Sequence, residues 1–262
     1  ARNDGLKFVS WNVNGLRAAC RKGFLDVIET VGSDVILLQE IRCRPDQLPE
    51  DVADPPGWHV VWHPAQRPGY AGTAVWSRFP VEAVGTGLEP GDADDEGRVL
   101  TVRTAGLRLT SVYLPSGSSG DARQAVKEHW MTRFRPWADR ERARAEPVVF
   151  GGDVNIARTE FDIFYAKGNA KNSGFLPHER AWMDDLVGSG WRDFVRDAWG
   201  DGVHGPYSWW SNRGRARELD RGWRIDYLLG NPAAADRVGW ASVDRELSIG
   251  VSDHAPVSID LD

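Results

Sequence analysis

The feature that most limits the possible folds is a series of short apolar runs, several of which end in an amide or a carboxylate. LKFVSWN (6–12) alternates and ends at Asn12, and DVILLQE (34–40) is continuous and ends at Glu40. WHVVWH (58–63), GTAVWS (72–77), RVLTVRT (98–104) and LRLTSVYLP (107–115) follow. Such runs read as strands. Helical patterns over Gly23–Val31, Asp121–Arg144 and His178–Gly188 separate some of them, and the second half continues with PVVFGGD, YSWW, RIDYLL and PVSIDL. Strands interleaved with helices predict an α/β protein with mixed sheets. Two halves of this kind could stack as two sheets face to face with helices outside, a four-layer sandwich that periodicity alone leaves open. There is no short tandem repeat or low-complexity linker, and the acidic LEPGDADDEG (88–97) is too short to divide the chain, so one domain over 1–262 is expected.

The stretch EPVVFGGDVNIA (146–157) bears most directly on function. Val148, Val149 and Phe150 look like a core strand that breaks at Gly151 and Gly152 and then delivers Asp153 and Asn155. On its own the stretch fits a turn, where Gly frees the backbone and Asp or Asn closes it. The other reading is a site at the end of a strand, where α/β proteins often carry their chemistry.

Other strand ends favour the second reading. Asn12 and Asn14 follow the first strand, Glu40 ends the second, and Tyr113 lies near the end of LTSVYLP. Asp226 lies in WRIDYLL, and Asp253 and His254 precede the last strand. Glu40 after VILLQ is costly to bury alone; a metal would resolve that cost, and so would Arg42. Asp226, flanked by apolar residues, is expected to face inward with a partner. Bonded to a histidine, it would fix the tautomer and favour the charged ring. His254 could be a plain loop histidine and Tyr113 a plain core residue. Oxygen ligands select a hard cation, Mg²⁺ or Mn²⁺, over zinc. His59 and His63 cannot share an ion, because four strand residues span about 13 Å.

Composition trims the alternatives. The net charge of −6 argues against a general nucleic-acid coat protein but not against a nucleic-acid enzyme with acids in a cleft. No apolar run is long enough to span a membrane, and the N-terminal ARNDGLKFVSWN shows no signal peptide. Two cysteines, Cys20 and Cys43, make neither a disulfide framework nor a CxxC pair; buried packing and a reducing, cytoplasmic setting are expected. There is no GxxxxGK[ST], GxGxxG or G-x-S-x-G motif.

KFVSWNVNGLRA, DVILLQE, VYLPSG, GGDVNIA, KGNAKNSGFLPHER, GWRIDYLL and SDHAP occur in this order. Together they resemble the exonuclease III family of apurinic/apyrimidinic endonucleases, within the wider deoxyribonuclease I-like endonuclease, exonuclease and phosphatase superfamily. The match runs from about Leu6 to Leu261. KGNAKNSGFLPHER and GWRIDY point to the DNA-repair branch rather than to phospholipid phosphatases. The resemblance implies a four-layer α/β sandwich of two mixed, mostly antiparallel sheets, Mg²⁺ dependence, and cleavage of duplex DNA on the 5′ side of an abasic site, with some 3′-end processing. It assigns Glu40 to the metal, with Asn14 and Asp253 close by. Asn12, Asn155 and His254 would hold the scissile phosphate, Asp153 would align and deprotonate the attacking water, Asp226 would orient His254, and Tyr113 would contact the phosphate or assist the leaving group.

For recognition, YSWWSNRGRARELDRGWRIDY (207–227) sets five arginines, Arg213 to Arg224, between aromatic residues. A solvated charged loop is the plain reading; phosphate contacts beside a sugar pocket are the functional one. The resemblance puts Trp209, Trp223 and Ile225 around an abasic deoxyribose, and Tyr70, Arg98, Asn169, Asn172, Arg213 and Arg217 against the DNA. Three positions depart from relatives. Asn14 replaces an Asp and so removes a charge at the metal, Arg213 stands where others carry an apolar wedge, and Ser119 stands where some insert an arginine. The expected partner is duplex DNA with abasic sites or damaged 3′ ends, bound by a monomer in the cytoplasm. A mainly 3′→5′ exonuclease or 3′-phosphatase, or an inert DNA binder, are the alternatives.

Overall fold

The structure, a computed structural model, describes residues 5–262. Its strands are β1 (Leu6–Asn12), β2 (Val35–Gln39), β3 (His59–His63), β4 (Thr73–Ser77), β5 (Glu82–Thr86), β6 (Val99–Thr104), β7 (Leu107–Tyr113), β8 (Val148–Asp153), β9 (Arg192–Asp193), β10 (Asp226–Gly230), β11 (Val238–Val243) and β12 (Val257–Leu261). The helices are α1 (Leu16–Lys22), α2 (Phe24–Val31), α3 (Glu50–Ala53), α4 (Asp121–Arg142), α5 (Ala166–Asn169), α6 (Pro177–Gly188), α7 (Phe194–Trp199) and α8 (Pro232–Ala235).

The strands form two six-stranded sheets, ordered β11-β12-β1-β2-β4-β3 and β5-β6-β7-β8-β10-β9. Only β1–β2 and β7–β8 are parallel pairs; every other neighbour is antiparallel. Parallel neighbours need a long crossover, supplied by α1 and α2 in the first case and α4 in the second.

The sheets pack face to face. Phe8, Leu37, Val75, Leu100, Leu109, Val149, Leu228 and Ile259 fill the space between them. Neighbours in sequence point the other way: Val9, Trp11, Ile36 and Leu38 pack outward with Leu16, Phe24 and Ile28 of α1 and α2. Val148, Phe150 and Leu229 pack outward against Trp130, Phe134 and Trp137 of α4 and Met183 of α6. The central strands are thus buried on both faces, which explains why their sequences are continuously apolar. The result is the expected α/β sandwich of four layers.

Several local expectations change. The strand does not break at its glycines; β8 runs through Gly151 and Gly152 to Asp153. A Cβ on Gly151 would come within 2.7 Å of Leu228 and 3.0 Å of Leu37 and Ser10, so glycine lets the two sheets close at this end. A Cβ on Gly152 would overlap the Val112 carbonyl. YSWW is not a strand. Trp209 makes single bridges to Trp223 and His254, because both edges of β10 and of β12 are already taken. The strands β5, β9 and β11 and the helices α1, α3, α5, α7 and α8, none of these helices longer than seven residues, were not legible in the sequence. β5 and β11 lie at sheet edges, β5 mostly exposed and β11 mostly half-buried, so their sequences carry no clear apolar period, and β9 is only two residues long. The long helix α4 stops at Arg142, two residues short of the expected Arg144.

Candidate active site

Both parallel pairs end on the same side of the sandwich. Asn12 closes β1 and Glu40 follows β2; Tyr113 and Asp153 close β7 and β8 in direct register. The antiparallel strands begin where these end, so Asp226 opens β10 opposite Asp153, and His254 lies just before β12. Four non-glycine residues here have left-handed backbone: Asn14 (φ 49°), Glu40 (57°), Arg42 (53°) and Asn155 (55°). Such conformations cost about 1–3 kcal/mol each and persist where the surroundings enforce them, often at functional sites.

The charged groups converge in the interior. Asn12 Nδ2 donates to Glu40 Oε2 at 2.8 Å and to Asp153 Oδ2 at 3.0 Å. His254 Nδ1 lies 2.7 Å from Asp226 Oδ2, and its Nε2 lies 3.7 Å from Asp153 Oδ2. The side chains of Glu40, Asp153, Asp226 and His254 are all buried. Ser208, which the sequence reading passed over, accepts the backbone N–H groups of Ile225 and Asp226, both at 3.0 Å, and so holds the backbone from which Asp226 reaches His254.

Burial and charge set the protonation states. For His254, desolvation opposes the charged ring, but the Asp226 and Asp153 carboxylates outweigh it and raise the pKa. For Asp153, desolvation and then Asp226 push the carboxyl pKa up, His254 pulls it down, and the net direction is up. Nδ1–H of His254 therefore donates to Asp226 while Nε2 faces Asp153. The Tyr113 phenol is held neutral by burial and then by Glu40 and Asp153, with Arg98 opposing. A neutral phenol keeps a proton to donate.

Glu40, Asp153 and His254 each offer an atom within 4.8 Å of the others, the spacing of a shared ion. Glu40 also pairs with Arg42, so the arginine alternative for its charge is real. The donor set still suits a hard cation. Asp226 Oδ1 and Asp253 Oδ1 are buried with no partner, while Asp253 Oδ2 accepts Trp209 Nε1 at 3.1 Å. Glu40 and Asp153 are the carboxylates that would hold the ion, with Asp253 and Asn14 lining the same cleft; the charged His254 ring has no lone pair to offer it.

These groups line a cleft of about 1000 Å³ together with Lys127, Asn155, Asn169, Asn172, Arg213, Trp209, Trp223 and Ile225. Trp209, Trp223 and Ile225 do come together, packed with Ile163 and Phe175, and the two indoles meet edge to face at 6.0 Å. Asn155 is bound on two sides, its N–H to Asp153 Oδ1 at 3.0 Å and its Nδ2 to Leu114 O at 2.7 Å.

Three expected phosphate or DNA contacts have other work here. Both amide hydrogens of Asn12 face carboxylates and its Oδ1 accepts Asn14 N, so it links Glu40 to Asp153 and has no donor left for a phosphate. Arg98 is buried; it donates to Tyr113 O at 3.0 Å, Tyr70 Oη at 3.0 Å and Glu96 at 2.7 Å. It thereby braces both tyrosines from beneath. Arg217 stacks over Trp210 and donates to Ser252 O at 2.6 Å, lining a separate hollow of about 250 Å³. Exposed Arg213, by contrast, does face the main cleft.

Lys127 was missed as well. Fully buried, it pairs with Glu179 at 2.5 Å and donates to Asn155 O at 2.8 Å. Glu179 in turn accepts Gly174 N at 2.7 Å and Leu176 N at 3.2 Å, so the pair ties the Asn155 turn to the cleft wall. The signal was present in spacing: Lys127 lies in the helical stripe of Trp130, Met131, Phe134 and Trp137, which faces the core.

With the geometry in hand, the comparisons are consistent. The model of the Endonuclease/Exonuclease/phosphatase family matches residues 9–254. The chain is 36% identical over 260 residues to an exodeoxyribonuclease of Bacillus subtilis (strain 168), covering 97% of this chain and 98% of that one. It is 33% identical over 260 residues to the DNA repair nuclease APEX1 of Danio rerio, covering 98% and 83%. Among solved structures, the 3′-5′ exonuclease NExo of Neisseria meningitidis superposes with a TM-score of 0.88 at 29% identity, covering 98% of this chain and 100% of that one.

Proposed function

The chain belongs to the endonuclease/exonuclease/phosphatase family, and from that premise we propose that it is a metal-dependent DNA-repair nuclease that hydrolyses the phosphodiester 5′ of abasic sites in duplex DNA and also processes 3′ ends. The observation that carries this reading is one cleft holding both Glu40, Asp153 and His254 and the apolar pocket of Trp209, Trp223 and Ile225. A sugar without its base fits a small apolar recess; a full nucleotide does not. Mg²⁺ is the proposed ion, with Mn²⁺ able to replace it, and the chain is taken to act as one catalytic domain and as a monomer in the cytoplasm. No helix among the described residues is long and apolar enough to cross a membrane.

The chemistry follows from the groups present. A divalent ion held by Glu40 and Asp153 would supply positive charge against the negative charge that builds on the phosphate. Burial and then Asp226 raise the Asp153 pKa; a bound cation would lower it again, leaving the carboxylate free to take a proton from the attacking water as the new P–O bond forms. The His254 ring, kept charged by Asp226, opposes the negative charge gathering on the phosphate. Neutral Tyr113 donates a hydrogen bond to the phosphate or the departing O3′, which takes its proton from solvent as the P–O3′ bond breaks. The products are a 3′-hydroxyl and a 5′-deoxyribose phosphate.

A second reading, mainly 3′→5′ exonuclease or 3′-phosphatase, draws support from the exodeoxyribonuclease and NExo relatives. Two labelled duplexes, one with an internal tetrahydrofuran site and one without, separate the readings when each is incubated with Mg²⁺ or EDTA. The abasic reading expects a single Mg²⁺-dependent cut 5′ of the analogue. Faster degradation from blunt ends selects the exonuclease; equal binding with no cutting would leave only an inert binder.

A further inference from the structure

One exposed aromatic group has no role in the chemistry above. Phe164 and Tyr165 are 45% and 52% exposed, their rings 4.7 Å apart and nearly perpendicular at 86°. Arg221 reaches across both, with its guanidinium carbon 5.4 Å from the Phe164 ring and 5.9 Å from the Tyr165 ring, and donates to Tyr165 Oη at 2.9 Å. Among the described residues Arg221 has no acidic partner within salt-bridge distance, unlike Arg215 in the same loop, which pairs with Glu218. Each residue leaves about half of its surface in water, and that half adds nothing to the stability of the fold.

Their position is continuous with the cleft. Ile163, the preceding residue, packs into the cluster of Trp209, Trp223 and Ile225. Phe164 N donates to Gly222 O at 3.0 Å, one residue before Trp223. Tyr165 O accepts both Asn169 N at 3.2 Å and Asn169 Nδ2 at 2.9 Å, and Asn169 lines the cleft. The exposed Lys167 and Lys171 flank the same segment. In a chain of net charge −6, Lys167, Lys171 and Arg221, which among the described residues have no carboxylate within salt-bridge distance, thus sit beside two half-exposed rings at the cleft.

We propose that Phe164, Tyr165 and Arg221 form a stacking platform for an unpaired nucleobase of a single-stranded segment leaving the cleft, with Lys167 and Lys171 facing its phosphates. The proposal rests on the nuclease reading for its ligand. Bases inside a duplex are already stacked on both faces, so only an unpaired base offers a free face to an aromatic ring. A ring with an arginine beside it is the common way proteins hold such a base without reading its identity. The platform would make the enzyme favour duplexes with a single-stranded extension over blunt ones.

The test uses duplexes with and without a short single-stranded 3′ extension carrying 2-aminopurine, bound in EDTA so that nothing is cut. Wild type should quench the aminopurine and bind the extended duplex about ten-fold tighter than the blunt one. Phe164→Ala and Tyr165→Ala should abolish both the quenching and the preference, and Tyr165→Trp should keep them. Cleavage of a blunt duplex with an internal tetrahydrofuran site, at saturating substrate with Mg²⁺, should stay near wild type in all three variants. An unchanged preference in both alanine variants would overturn the platform, and so would an equal loss on blunt and extended duplexes. Quenching by a wild-type protein that cuts neither duplex would sink the nuclease reading and leave the platform standing.

Discussion

At the scale of single residues, Asp153 is the sharpest test of the proposed chemistry. It is buried, bonded to Asn12, beside His254, and shifted towards the protonated form by burial and Asp226. Asp153→Asn keeps the shape but removes the base, and with it one of the two hydrogen bonds its oxygens accept from Asn12 and Asn155. Single-turnover cleavage of a tetrahydrofuran duplex should fall by at least about 10²-fold, while anisotropy in EDTA shows DNA binding preserved. Near-normal turnover would remove Asp153 from the role of base. Most of these residues were legible because a carboxylate or amide at the end of an apolar run is out of place unless something uses it. Asn12 shows the limit of that logic. The sequence marks it as polar at a strand end but not that two carboxylates consume both of its donors.

At the scale of elements, the buried pair of Lys127 on α4 and Glu179 on α6 is what holds the Asn155 turn against the Gly174 wall. Lys127→Met leaves Glu179 with no cation in a buried place, which should cost about 3–5 kcal/mol in urea unfolding. Adding Glu179→Leu should recover part of that loss in stability without restoring turnover, because the Asn155 carbonyl still lacks its donor. A double variant as unstable as the single one would refute the pairing argument. Elements buried on both faces, such as β2 and β8, announced themselves through continuous apolar sequence. The edge strands β5, β9 and β11 did not, although the edge strand β3 did, through its apolar Val60, Val61 and Trp62. β5 and β11 are strands because a neighbour offers them a free ladder, and that is a property of the sheet rather than of their own residues. Gly151 and Gly152 misled for a related reason: their smallness serves packing against Leu228, Leu37 and Val112, none of them near in sequence.

For the whole molecule, the site is an intersection of two sheets, yet its charges are largely answered by protein groups. Arg42 and Asn12 meet Glu40, and His254 meets Asp226. Removing the metal should therefore stop cleavage without loosening the fold. EDTA should abolish product formation while shifting the thermal midpoint by less than about 3 °C, and a larger shift would make the ion structural. The four-layer architecture was anticipated from the resemblance rather than from periodicity, since no local pattern tells which sheet a strand joins.

The chain lays down four strands of one sheet, builds the whole of the other, and only then returns with β11 and β12, the latter zipping against β1 from Leu6–Leu261 to Ser10–Val257. His254 lies on that returning segment. A polypeptide still being translated thus exposes one edge of β1 and lacks this imidazole until the whole second sheet has been laid down. A chain interrupted before that returning segment would hold the proposed site without its histidine, and so without the partner of Asp226.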